Sequence, residues 1–424
     1  MSSSFPATTP SHPYGARSHG DLAELARELL LAGHLIDRSG MPHLISRFGR
    51  EGMTEIAIDE WMAASPVYTK RMQRILGFEG DDVATIFKGM QLDIGAPPEF
   101  MDFRYRVHDS HHGEFWLDHC GALMDVEPMG DEYVTAMCHT IEDPTFDATA
   151  TATNPRAQVR PMHRPPRAPA DRHPHCHWTV TIEEGADPLP YPPQAELLGS
   201  VTAAAIPLAE RPGDLPADDG DATYEGEVDP DLVMERFSSA TLAAICDELA
   251  LQGHLLSQGF MLHVAERAGG DEALEIGSRQ LTGIAGLTSK RLAASLGVAA
   301  DLDGVAAVLA VHPIFLPRSY VDLHLDRTTE GAELRLSLGP CPALAQDDGL
   351  TWPAILVDSD DSGLAAAVTC IAPRARVTRV DPSPGAAATW DITIDPDAPP
   401  ADQPTEVTLA EFSTGASFTF ERRG

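Results

Sequence analysis

The chain is poor in positive charge: 30 Lys and Arg stand against 64 Asp and Glu, a formal net charge of −34. Such a surface repels phosphate backbones and anionic lipid, which argues against nucleic acid or a membrane surface as partner. No apolar run is long enough to span a bilayer, and no charged-then-apolar leader pattern opens the sequence, so a cytoplasmic protein is expected. Cysteines number only six in 424 residues. In a reducing compartment they are expected as thiols or metal ligands rather than disulfides. Also missing are a phosphate-cradling glycine loop, a serine nucleophile elbow and a paired-carboxylate glycosidase signature.

What the chain does have is the same pattern twice. Ala32-Gly33-His34-Leu35-Ile36 and Met41-Pro42-His43-Leu44 match Gln252-Gly253-His254-Leu255-Leu256 and Met261-Leu262-His263-Val264 without a gap. Lys70-Arg71 falls on Lys290-Arg291 in the same register. Further on, Pro155-Arg156 answers Pro373-Arg374, Trp178 answers Trp390, and Glu210-Arg211 answers Glu421-Arg422. Two long copies make a duplicated domain rather than a solenoid. The chain therefore reads as an intramolecular pseudo-dimer, itself able to form a homo-oligomer. Its parts are a flexible tail (1–21), a first copy (22–211), an acidic Pro/Gly-rich linker (212–235) and a degenerate second copy (236–424).

Within each copy the apolar period changes. Leu22, Leu25, Leu29 and Leu30 recur at helical spacing behind a cap at Asp21, with Gly33 or Gly40 placed to end or bend that helix. Shorter helices follow over 42–48, 54–64, 69–76 and 81–91. From Phe100 the pattern alternates, with Phe103, Tyr105 and Val107, then Phe115 and Leu117, and later Trp178, Val180 and Ile182. The expected class is α+β, each copy with N-terminal helices followed by a mostly antiparallel sheet.

The two copies differ in chemistry. The first concentrates histidine and cysteine between His108 and His177, and these residue types suit zinc or iron. The second has Leu356 near the place of Cys138, Asp381 at that of His163 and Ala388-Thr389 at that of Cys176-His177, while keeping the scaffold residues. Cys341 answers Cys120 to within a residue or two. This asymmetry marks Cys120, Cys138, His163 and Cys176 as a candidate metal set in the first copy, with His175 as an adjacent alternative. All four together would form a closed Cys₃His structural site, whereas three of them would leave a position open for water. Glu142, Asp143 and His139 are candidate acid–base groups, and Arg156 and Arg160 candidates for a substrate carboxylate. His34 and His43, kept in both copies, read as structural.

The order Cys120, Cys138, His163-Arg164-Pro165-Pro166 and Cys176-His177-Trp178 resembles the L-2-amino-thiazoline-4-carboxylic acid hydrolase-like family and related bacterial proteins. Those carry a Cys-x-x-Cys-Pro-Pro element and a closing Cys-x-Trp. The resemblance implies hydrolysis of a cyclic amidine. The expected function is a metal-dependent enzyme acting on a small molecule, cleaving a C–N or C=N bond with water activated by zinc. The alternatives are a non-catalytic metal or haem centre and an iron-dependent redox enzyme.

Overall fold

The computed structural model describes residues 12–328, 333–345 and 349–421. The expected tail lies outside the described residues over 1–11, as does Arg422 of the repeat. Residues 12–18 are tied down rather than loose. Tyr14 is fully buried and its hydroxyl donates to Asp247 of the second copy at 2.6 Å, while Arg17 reaches the Ala307 carbonyl.

One long helix, His19–Leu76, replaces the short helices expected there. It starts two residues before the expected cap: Ser18 is the N-cap, and Ser18 and Asp21 bond each other's backbone as a capping box. Its single non-helical residue is Gly49 (φ 72°), so the break falls there, and Pro42 and Pro66 lie within the helix. Gly33 does not bend the chain. It lets Ile94 approach so closely that a Cβ at this position would lie 2.5 Å from two side-chain atoms of Ile94. Gly33→Ala is therefore expected to cost about 1–3 kcal/mol by overpacking; an unchanged urea midpoint would contradict this close packing.

Each copy then builds a four-stranded antiparallel sheet. In the first, β1 (Met101–Asp109), β2 (His112–Cys120), β3 (Ala157–His163) and β4 (Cys176–Ile182) lie in the order β1-β2-β4-β3. In the second, β5 (Leu323–Arg327), β6 (Glu333–Leu338), β7 (Ala375–Val380) and β8 (Ala388–Ile394) repeat it as β5-β6-β8-β7. The register agrees as well. Phe115 faces Trp178 and Leu117 faces Cys176 in one sheet, where Leu336 faces Trp390 and Leu338 faces Ala388 in the other. The α+β duplication read from the sequence is thus present, helices first and sheet after. Cys341 stands three residues beyond Leu338 as Cys120 stands three beyond Leu117, which makes these two cysteines counterparts.

The copies share one continuous apolar core. Where their long helices meet, the Gly40 backbone lies against the Phe260 ring and Gly259 against Ala63. Two buried ion pairs cross the seam as mirror images: Arg71 with Glu248, and Arg291 with Glu28, each at 2.8 Å. By the helical register Arg291 answers Arg71 and Glu248 answers Glu28, so residue and partner exchange roles as in an isologous dimer. The acidic segment expected as a linker is strapped to the first copy: Tyr224 is fully buried, and its hydroxyl donates to Gln91. Among the described residues no helix is long and apolar enough to cross a membrane.

Candidate functional site

A cavity of about 130 Å³ lies in the first copy between the long helix, β1 and the segment leading into helix Glu142–Thr151. That segment, Ala136–Ile141, is wound as a π-helix. Pro144, in the first turn of the following helix, has no N–H to give to the turn before it, and such π turns recur at functional sites. The π turn brings Met137, Ile141 and Glu142 onto the cavity wall, opposite His34, Asp37 and Arg38 of the long helix.

Charge in this wall is concentrated and shielded from water. Arg38, 2% exposed, donates to Asp125 at 3.1 Å and to Asp37 at 3.0 Å. Burial works against its charge, but Asp37 and Asp125 outweigh it and raise its pKa. Asp125 is held in turn by the second copy, accepting from Ser413 Oγ at 2.6 Å and from the Thr414 amide at 2.7 Å. Beyond this network, Glu60 and His34 lack hydrogen-bond partners. Glu60 is fully buried with neither carboxylate oxygen bonded, and burial, with Asp37 nearby, pushes its pKa well up. His34 is 5% exposed and neither ring nitrogen has a partner; burial and the Arg38 charge drive it down to about 3, so the ring is neutral. Asp93, which accepts from Tyr68 and the Gly95 amide, is pushed up to about 6 by burial.

Glu142 is half-buried overall, but its Oε2 is shut from solvent with no hydrogen-bond partner. Burial carries its pKa up to about 8 against the pull of Arg164, so near neutral pH it is a carboxylic acid with a proton to give. Asp143 is a different case. It pairs with Arg164, whose guanidinium lies over Trp178, and in the second copy Asp361 pairs with Arg379 over Trp390 in the same way. Both copies keep this Asp–Arg–Trp stack, which marks it as scaffold.

The expected metal residues are only partly brought together. Cys120, Cys138 and Cys176 are buried as neighbours around Glu142. Burial and the Glu142 charge push the Cys120 thiol up to about 12 and hold Cys138 and Cys176 well above the usual thiol range, so all three are protonated and poor nucleophiles. Cys120 also caps helix Gly121–Val126, its sulfur accepting from the Leu123 amide. His163 stands apart. A bulge between Pro161 and His163 sets it opposite His177, whose ring bonds Glu114 on the outer face, whereas Cys176 is on the inner face. The His163 ring bonds the Pro174 carbonyl. His175 is buried against His119 and His173, and His139 is held by the Pro165 carbonyl. Among the described residues no group of three or more His, Cys, Asp or Glu side chains is arranged to hold a metal ion. The two arginines are engaged elsewhere: Arg156 on the Ala186 carbonyl, as Arg374 is on Ala398, and Arg160 on Asp147.

Histidine and cysteine spacing does not point to Asp37, Arg38, Glu60 or Asp93, but the repeat holds a signal for them. In the register of His34 and His254, Asp37, Arg38, Glu60 and Asp93 become Ser257, Gln258, Gln280 and Pro313. In the register of Pro155 and Pro373, Glu142 becomes Asp360, which accepts from Ser278 and Ser362 and has its pKa lowered by those bonds against burial. His254 packs against Tyr320 and Trp352. No protein-family model, curated protein or solved structure matches this chain.

Proposed function

We propose that the first copy is a small-molecule enzyme with Glu142 as its general acid–base, and that the second copy is a pseudo-domain bracing it. The observation that carries this is the unbonded Glu142 Oε2 at a largely apolar cavity, where the second copy has an Asp360 hydrogen-bonded by Ser278 and Ser362. The reaction we assign is hydrolysis of a C–N or C=N bond, the chemistry implied by the resemblance of the sequence. In it the Glu142 carboxylic acid protonates the leaving nitrogen as the C–N bond breaks. Water forms the new C–O bond, and its proton returns to the Glu142 carboxylate. The test is a panel of small apolar amides, lactams and cyclic amidines, with amine or ammonia release followed for wild type and Glu142→Gln. Turnover of a panel member that the variant loses supports the assignment. A panel left untouched by wild type, or turned over equally by both proteins, overturns it.

A second reading, a metal or haem centre, draws support from the burial of Cys120, Cys138 and Cys176 as neighbours and from Leu356 and Ala388 in place of the last two. Elemental analysis of protein purified without added metal is its test. Stoichiometric zinc or iron lost in Cys138→Ala and Cys176→Ala but kept in Cys370→Ala supports it; absence of stoichiometric metal from wild type overturns it.

A further inference from the structure

We infer that the ligand of this cavity is a small protonated amine on a ring-sized apolar body. The inference deepens the acid–base reading above and rests on it for the location of the site. Size and walls set the body: a cavity near 150 Å³ accepts a benzene ring, and this one, at about 130 Å³, is walled by Trp61, Phe103 and Phe146 with methionines between them. Aromatic faces and thioethers attract a cation as well as a hydrocarbon.

The ionisable groups set the sign of the charge. On the long helix, Arg38 is neutralised by Asp37 and Asp125, and Glu60 lies behind them. From the loop before β1 comes Asp93, and from the helix after the π turn comes Glu142. Arg164, the cation nearest Glu142, is held by Asp143. The cavity thus faces Asp93, Glu142 and, at one remove, Glu60 without a cation of their own; burial holds these carboxyls toward their neutral forms, and a bound cation, unlike an anion, is stabilised as they ionise. Hydrogen bonding agrees with this choice. A neutral imidazole offers one acceptor nitrogen, and His34 and Glu142 Oε2 both lack donors. An ammonium brings three donors and no acceptor. The second copy has Ser257, Gln280 and Pro313 in place of Asp37, Glu60 and Asp93 and keeps an acid at Asp360 in place of Glu142, while His254 there packs on Tyr320 and Trp352.

The experiment is calorimetric titration of the full chain with benzylamine, benzyl alcohol and benzoate, beside a cavity-filling variant, Ala122→Leu, checked for an intact melting transition. Benzylamine is expected to bind at least about ten-fold more tightly than benzyl alcohol, which corresponds to one factor of ten in the equilibrium constant. It should fail to bind the filled variant, and Asp93→Asn should weaken it several-fold. Equal affinity for the alcohol, preference for benzoate, or undiminished binding to Ala122→Leu would overturn the inference. Failure here and failure of the acid–base reading are separable. Selective amine binding without any panel turnover would leave this inference standing and remove the reaction. Glu142-dependent turnover of a neutral substrate without amine selectivity would do the reverse.

Discussion

Arg71→Ala is expected to lower the unfolding free energy by about 3–5 kcal/mol, the range for stripping one partner from a buried ion pair. The guanidinium meets Glu248 through two nitrogens at 2.8 Å and also donates to the Ile206 and Pro207 carbonyls. Alanine would leave the Glu248 carboxylate inside the seam with only the Ala209 amide to satisfy it. Arg291→Ala should cost a similar amount, since Arg291 makes the mirror-image contacts with Glu28 and with the Gly415 and Phe418 carbonyls. Because the two copies share one core, each variant should still unfold in a single transition, shifted to lower denaturant. A loss under about 1 kcal/mol, the value of an exposed pair, or a new intermediate with only one copy unfolded, would refute the account of the seam.

Glu142→Gln is expected to reduce turnover of any panel substrate by about 10²–10⁴-fold, the usual contribution of a positioned acid–base group. The wild-type rate should be high below the Glu142 pKa of about 8 and fall above it, because the acid form is the proton donor. Stability provides a check that needs no substrate. The folded-state pKa is raised above the ordinary carboxylate value, so the folded protein holds this proton where the unfolded chain has released it. The associated stability is complete below the ordinary carboxylate range, declines as pH rises toward about 8, and is gone above it. Glutamine carries no such proton. The variant should therefore match wild type at pH 4 and exceed it in stability at pH 9, by denaturant unfolding at both. A difference between the two proteins that does not change with pH would sink the assignment of an elevated Glu142.

A one-dimensional comparison sees residue identity and spacing, but neither burial nor partners. Glu142, a candidate acid–base group by residue type, lines the cavity, whereas its neighbour Asp143 pairs with Arg164. Arg156, a candidate for a substrate carboxylate, instead bonds the Ala186 carbonyl, as its counterpart Arg374 bonds that of Ala398. His34 shows the limit of that comparison. Its persistence as His254 argues for a structural ring, yet in the first copy the histidine lines a cavity with both nitrogens unbonded, while its counterpart packs on Tyr320 and Trp352.

Sequence alone determined the duplication, the succession of helices and sheet within each copy, and which copy is the richer in histidine and cysteine. Each of these is written in local periodicity and in residue identity at matched positions. Tertiary structure decided the rest. One bulge after Pro161 turned His163 to the outer face, away from the cysteines, because strand side chains alternate and a single extra residue reverses them. The cavity joins Asp37 and Arg38 to Glu142 across more than a hundred residues of chain, and Ser413 from the far end of the second copy holds the Asp125 that holds Arg38. A carboxyl group has the same ordinary pKa wherever it is written in a sequence; only burial, and the absence of a partner inside the fold, raises that of Glu142 to about 8.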